Sequence, residues 1–383
     1  MKILIYCQHV LGVGHFFRTL EIARAMKDVD VILVTGGDQV SAQLPNHVRK
    51  VALPGLMMDP AFSTLHCVDP QQDLEEVKRL RQKILLDLIK TEKPDFFLVE
   101  LYPFGRKAFE FELIRALDFI RARKGINCKV VCSLRDILVE KKNPAKYEAR
   151  VIEALHTWFD AVLVHSDPKL IKLDATFPGV DRIKIPLVYT GFVTPLPDPE
   201  KVIQIKQEYG LNQGRLLITA SAGGGNVGAP LLKAVVHACH GVLSGTNLIL
   251  KLYTGPYMNK EDKDYLKSFE TDRIRIEAFT PDFISLLGAS HLSVSMAGYN
   301  TSMNIVAAKV PALIRPFDQN REQWERAVKL AEFAPITLLG DQDLEPAVLA
   351  QRMGAALHMQ TRPPGPNLNL DGAANTMKWM RGR

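Results

Sequence analysis

From Ser290 the chain reads SHLSVSMAGYNTSMNIVAAKVPALIRP. A short apolar strand, His291 to Ser295, runs into Ala297 and Gly298, and a helix follows to about Ala308. A second strand, Pro311 to Ile314, stops at Pro316. This unit belongs in a parallel sheet covered by helices. It also points unpaired backbone N–H groups and the positive end of a helix at one spot, which suits a phosphate. Thr301 and Asn304 fall on one face of that helix, three residues apart, and Glu322 and Gln323 stand at the next loop-to-helix junction. In such folds ligands bind at the carboxyl ends of the strands.

The same alternation runs through the rest of the chain. Residues 2–7, 31–34, 96–99, 129–132 and 161–164 read as strands, with helices over 73–90, 106–123 and 145–159. A Pro- and Gly-rich run, YTGFVTPLPDP at 189–199, reads as an interdomain linker. Beyond it come strands at 217–220, 247–252 and 273–278, a glycine-rich loop at 221–228, a TRPPGP loop at 361–366 and a last helix over 371–380. A chain of 383 residues is too long for one ordinary core. We expect two domains, 1–192 and 200–360.

Composition excludes more than it selects. A net charge of +6 with 23% charged residues is ordinary for a globular protein and leaves room for anionic ligands. No Lys/Arg run interleaved with aromatics speaks for nucleic acid. No apolar run approaches the ~18–20 residues of a membrane span, although peripheral membrane contact stays open. Five cysteines in strand-like surroundings suit buried thiols in a reducing cytosol, so a cytoplasmic location is expected. Asp28-x-Asp30 and Asp341-x-Asp343 have the spacing of metal carboxylates, but Asp28 and Asp30 precede a strand and read as turn residues. No metal and no cofactor are expected.

Gly298, Thr301, the AAKVP run at 307–311, Pro316 and the Glu322-Gln323 pair resemble the donor-binding half of family 28 glycosyltransferases. Ser221-Ala222-Gly223-Gly224-Gly225 is similar to a run found in a bacterial group of predicted glycosyltransferases. The resemblance implies GT-B architecture: two doubly wound, Rossmann-like α/β domains facing across a cleft, with the helix 370–383 returning to the first. It implies that Glu322 and Gln323 hold hydroxyls of the transferred sugar and that Phe279 packs near the nucleobase. It also implies that Gly14, in the Gly-x-Gly-His turn after the first strand, lies across from the donor. The family has a Glu gripping the ribose where this chain has Asn304, so the donor is UDP-linked or, with a softer ribose grip, dTDP-linked.

The residues themselves carry the chemistry further. Three consecutive glycines at 223–225, after a buried strand that ends at Ser221, give backbone N–H groups room to surround a pyrophosphate. His15 titrates in the range a general base needs; capping the helix or touching phosphate are its other roles. Glu100 and Asp136 stand just beyond strand ends and complete the catalytic candidates, with Arg106 and Arg135 nearby. The expected reaction is metal-independent, inverting transfer of a hexosyl or N-acetylhexosaminyl group from a nucleoside-diphosphate sugar. The acceptor, a small molecule or a lipid-linked one, is not spelled by any motif. A hydrolase or epimerase of the same fold, and a non-catalytic sugar-nucleotide binder, remain as alternatives. A nicotinamide enzyme would need an acid closing the second strand, where Thr35-Gly36-Gly37 stands.

Overall fold

A computed structural model describes residues 1–10, 13–37, 42–59, 64–122, 125–139, 141, 143–242, 245–317, 321–358 and 367–383. Gly12 of the first glycine turn, residues 60–63, the loop residues 318–320 and the TRPPGP run lie outside them. The chain divides into two compact units, Met1–Val193 with Asn369–Arg383, and Thr194–Leu368.

The first unit is built on a seven-stranded sheet. Its strands are β1 (Lys2–Cys7), β2 (Asp30–Thr35), β3 (Val48–Ala52), β6 (Phe96–Glu100), β7 (Lys129–Arg135), β8 (Ala161–His165) and β9 (Leu187–Tyr189). A small antiparallel hairpin, β4 (Leu56–Met58) with β5 (Leu65–Cys67), stands beside it. The order is β3-β2-β1-β6-β7-β8-β9 and every neighbour is parallel. Successive residues Ile3, Leu4 and Ile5 are all fully buried, as expected of a strand with helices on both faces. The chain builds outward from β1 in one direction and then restarts at β6 in the other. The crevice beyond β1 and β6 is therefore the switch point, where such sheets bind ligands.

The second unit repeats the plan. Strands β10 (Leu216–Ser221), β11 (Leu248–Tyr253), β12 (Ile274–Glu277), β13 (Leu292–Met296), β14 (Ala312–Arg315) and β15 (Ile336–Leu338) lie in the order β12-β11-β10-β13-β14-β15, all parallel. Its switch point falls between β10 and β13. The glycine-rich loop follows β10, and Gly298 follows β13.

The run read as a linker is more ordered than its composition suggested. Tyr189 closes β9, and Phe192 and Val193 are buried. The returning chain pairs with this segment: Phe192 N–H donates to Asn369 O at 2.7 Å, Gly372 N–H donates to Phe192 O at 3.0 Å, and Val193 bridges Asp371. Gly372 must be glycine, because a Cβ there would lie 2.3 Å from the Gly191 carbonyl oxygen. Local sequence cannot reveal pairing with a segment some 180 residues away. The last helix, Gly372–Arg381, then buries Met377 and Met380 in the same core as Phe16, Leu20 and Ala23.

Candidate active site

At the first switch point the helix Gly14–Ala25 starts directly beyond β1. His15 and Arg18, three residues apart on that helix, share a face and meet Glu100, the last residue of β6. His15 Nδ1 lies 2.6 Å from Glu100 Oε1, and Arg18 Nη2 donates to the same oxygen. Arg106 Nη2 is 3.5 Å from Glu100 Oε2. The carboxylate is 1% exposed, so its charge has to be compensated by the two arginines. His15 and the two arginines hold its pKa below the carboxylate range, against the upward push of burial. Burial, with Arg106 and Arg18 acting in the same sense, lowers His15 to about 3, although Glu100 pulls it upward. An ionised Glu100 can only accept, so Nδ1 carries the imidazole proton and donates. The lone pair of a neutral ring is left on Nε2, open to a hydrogen-bond donor, but a pKa of about 3 lies well below the range the sequence led us to expect of a general base. The side chain of His15 retains 22% exposure, so it reaches the surface that Glu100 does not.

Backbone geometry fixes this edge. Leu101 and Arg106 have left-handed φ values of 67° and 60°, and non-glycine residues held there concentrate at functional sites. Behind Glu100 lies a buried chain of three polar side chains. His165 Nε2 is 2.7 Å from Ser133 Oγ, and its Nδ1 is 2.8 Å from Thr190 Oγ1. Burial lowers His165 to about 3 as well. Below β1, Arg81 is fully buried and donates to Glu112, Gln8, the Gly36 carbonyl and the Pro54 carbonyl at 2.6–2.8 Å. This tie fixes the chain leaving β1 against the chain leaving β2.

Asp136 directly follows β7. It is fully buried, and its Oδ1 accepts from the N–H of Ile137 at 2.8 Å. Gly14, by contrast, is exposed at the helix start.

The second switch point is made of backbone. Ser221 Oγ accepts from Gly223 N–H at 3.0 Å, tightening the turn out of β10. Gly223 and Gly225 have φ of 67° and 94°. Gly225 is buried, and a Cβ there would lie 2.6 Å from the Thr254 carbonyl oxygen. Of the three glycines it therefore serves loop packing rather than ligand access. Gly255 fits equally closely against Gly223 and Gly224, and Tyr257 N–H donates to Gly224 O at 3.0 Å. Gly224 itself would accept a Cβ, the nearest atom being the Tyr257 ring at 3.9 Å.

Gly298 caps the helix Tyr299–Ala308, and a Cβ there would meet nothing within 4 Å. Space, not conformation, is what this glycine provides. Thr301 Oγ1 lies 3.9 Å from where a Gly223 Cβ would stand, so the glycine loop and the helix start adjoin. Ala297 N–H donates to Arg315 O at 2.9 Å, and the Arg326 guanidinium lies 5.3 Å over the Tyr299 ring. These contacts bring the helix Arg321–Phe333 to the same edge. There Gln323 Oε1 accepts from Phe317 N–H at 3.1 Å, while Glu322 is buried at 7% exposure. Phe279, half exposed, follows β12, and Gly255 N–H donates to Ala278 O beside it. Asn304 is half-buried, with its Oδ1 accepting from Thr194 Oγ1 at 2.8 Å.

Residues 219–374 match the model of the glycosyltransferase family 28 C-terminal domain. All the glycines of this edge, with Thr301, Asn304, Glu322 and Gln323, fall inside that range. Among curated proteins, the UDP-N-acetylglucosamine–N-acetylmuramyl-(pentapeptide) pyrophosphoryl-undecaprenol N-acetylglucosamine transferase of Methylococcus capsulatus is 27% identical over 188 residues, 49% of this chain and 51% of that one. The enzyme of the same name from Exiguobacterium sibiricum is 28% identical over 144 residues, 37% and 39% of the two chains. The chain thus spans about half the length, or less, of the curated relatives it matches. A glycosyltransferase from Rickettsia africae superposes with a TM-score of 0.58 at 14% identity, covering 100% of this chain and 92% of that one. MurG of Acinetobacter baumannii does so with 0.53 at 14%, covering 98% and 94%. Two Rossmann-like units with these neighbours make the fold GT-B.

Three residues escaped the sequence reading. Arg18 was signalled by its spacing from His15, one helix turn on. Tyr257 and Thr194 carried no local signal, since only the fold sets them against Gly224 and Asn304. Each acid of the two Asp-x-Asp pairs faces a cation: Asp28 with Arg381, Asp30 with Lys2, Asp341 with Arg315 and Asp343 with Arg352.

Proposed function

We propose that this protein transfers a sugar from a nucleoside-diphosphate sugar to an acceptor hydroxyl, with inversion and without a metal ion. The observation that carries the reading is the neutral His15 imidazole backed by the buried Glu100 carboxylate. The family 28 domain supplies a backbone phosphate cradle for the same reading. The acceptor hydroxyl gives its proton to His15 Nε2 as its oxygen bonds the anomeric carbon. The carbon–oxygen bond to the diphosphate breaks on the opposite face, which inverts the centre. Negative charge growing on the leaving diphosphate is met by the helix start at Gly298 and the N–H group of Gly224, that of Gly223 being given to Ser221 Oγ. This arrangement needs no metal, and the paired Asp-x-Asp acids are consistent with that.

Gln323, its carbonyl oxygen held by Phe317, turns its amide donors toward sugar hydroxyls, and Phe279 offers a face to the base. A UDP-linked or dTDP-linked hexose or N-acetylhexosamine is the proposed donor. The curated relatives named above act on a lipid-linked pyrophosphoryl acceptor, which makes one of that kind the first to try. No helix among the described residues is long and apolar enough to cross a membrane, so contact with such an acceptor would be peripheral. Buried cysteines without disulfides fit a reducing, cytoplasmic setting.

The test is a panel of nucleotide sugars offered with and without candidate acceptors in EDTA. Acceptor-dependent release of nucleoside diphosphate, with an inverted anomeric centre by NMR, is expected. Turnover with water alone would make the protein a hydrolase. Activity abolished by EDTA and restored by Mn²⁺ would overturn metal independence.

A further inference from the structure

The helix that begins at Gly298 carries Thr301 in its first turn and Asn304 in its second. Thr301 faces Gly223 across the phosphate cradle. Asn304, three residues on, stands about 4.5 Å farther along the same face. That step is comparable to the distance between the phosphates of a nucleotide and its ribose hydroxyls. Asn304 is half-buried rather than enclosed, so a ligand in the cradle can reach it.

Its amide is not free to turn. Thr194, the first residue of the second unit, places its hydroxyl 2.8 Å from Asn304 Oδ1 and 3.2 Å from the Pro195 carbonyl oxygen. A hydroxyl has one proton to give, and the shorter contact to Asn304 takes it. With Oδ1 engaged, the other half of the amide, Nδ2, is what Asn304 presents, and it bonds to no other group among the described residues. An NH₂ group donates and cannot accept.

We propose that Thr194 is a specificity-determining residue that fixes Asn304 as a hydrogen-bond donor toward the ribose of the nucleotide. The inference rests on the nucleoside-diphosphate reading of this site. Its consequence is a reversed polarity of recognition. A carboxylate at this position accepts from ribose hydroxyls and therefore requires their protons. A donor amide requires only an oxygen, so a ribose ether satisfies it as well as a ribose hydroxyl does.

Isothermal titration of the full chain tests this. The probe is whichever of UDP, ribothymidine diphosphate, GDP and ADP binds most tightly, compared with its 2′-O-methyl and 3′-O-methyl ethers. The unmodified protein is expected to bind at least one ether within about threefold of the free hydroxyl form. Asn304→Asp keeps an oxygen for Thr194 and turns a second one to the ligand, so it should favour the hydroxyl form over that ether by tenfold or more. Thr194→Val releases the amide to rotate and should open a preference for the hydroxyl form, which Thr194→Ser should not. Matched thermal melts show whether each variant is folded, and Thr194→Ser supplies a conservative check.

Unmodified protein that rejects both ethers by tenfold or more would overturn the inference. So would a Thr194→Val protein with the unmodified preference. In both cases the nucleotide reading would stand, because a nucleotide would still bind. If none of the four nucleotides binds the unmodified protein, the nucleotide reading fails and takes the inference with it.

Discussion

The two switch points share a topology and differ in what they are made of. Beyond β1 and β6 the edge is built from side chains: His15, Arg18, Glu100 and Arg106, with Arg81 and Glu112 fully buried beneath. Beyond β10 and β13 the edge is built from backbone, with glycines that either interlock two loops or leave room. A proton acceptor has to be a side chain with a tuned pKa, and tuning requires burial and neighbouring charge. A diphosphate needs several donors at once, and main-chain N–H groups provide them at no cost in buried charge. On the proposed function, the same sheet order serves chemistry at one edge and binding at the other.

The largest effect that would break this contrast is expected at His15. His15→Ala should lower turnover by roughly 10²–10⁴-fold, the usual worth of a general base, and leave nucleotide affinity unchanged by titration. Loss of nucleotide binding in that variant would mean that His15 contacts the donor instead. Next comes Arg81→Met, which leaves Glu112 buried without its cation. Breaking such a pair costs about 3–5 kcal/mol, so thermal unfolding should show a large drop in the stability of the first unit. A near-wild-type melt would show that the buried network is dispensable.

Acid should weaken the first edge selectively. His15 and His165 are held at about 3, below the 6.5 of an ordinary imidazole. Between pH 6.5 and 3 the unfolded chain therefore binds more protons than the folded one, and stability falls as pH drops through that window. From pH 6.5 to 5 the loss is up to about 2 kcal/mol for each imidazole. Glu100, depressed below its ordinary value of 4.5, adds a loss in the same direction at lower pH. Denaturant titrations at pH 7 and pH 5 check the slope, and His165→Asn should remove part of it; equal stability at the two values would contradict the buried neutral histidines.

The smallest expected effect sharpens the contrast from the other side. A Cβ at Gly224 meets no atom closer than the Tyr257 ring at 3.9 Å, so Gly224→Val should fold and melt normally. Its side chain would displace one charge-assisted bond to the diphosphate, worth about 1.5 kcal/mol or tenfold in nucleotide affinity. A variant that melts early and binds normally would make Gly224 a structural glycine like Gly225.

Much of this arrangement was legible in the chain itself. Apolar runs such as KILIYC followed by glycine and a helix pattern specify parallel strands with crossovers, because only that arrangement buries both faces of such a strand. Placement of His15, Glu100, Gly223 and Gly298 at strand ends follows from the same pattern, since position along a strand is a local property. Asp136 shows the limit. It occupies the same kind of position as Glu100, yet its carboxylate turns to the N–H of Ile137, and side-chain direction after a strand depends on what surrounds it.

What the sequence by itself determined, then, is the class of fold and the two edges where the candidate residues stand, because period and turn residues act over a few positions. Only the tertiary structure decided which residues meet there: Glu100 with His15 across 85 positions, Thr194 with Asn304 across 110, and Asn369 with Asp167 across 202. The physical reason is that a buried charge or amide takes its state from its neighbours, and those neighbours are brought together by packing rather than by spacing along the chain.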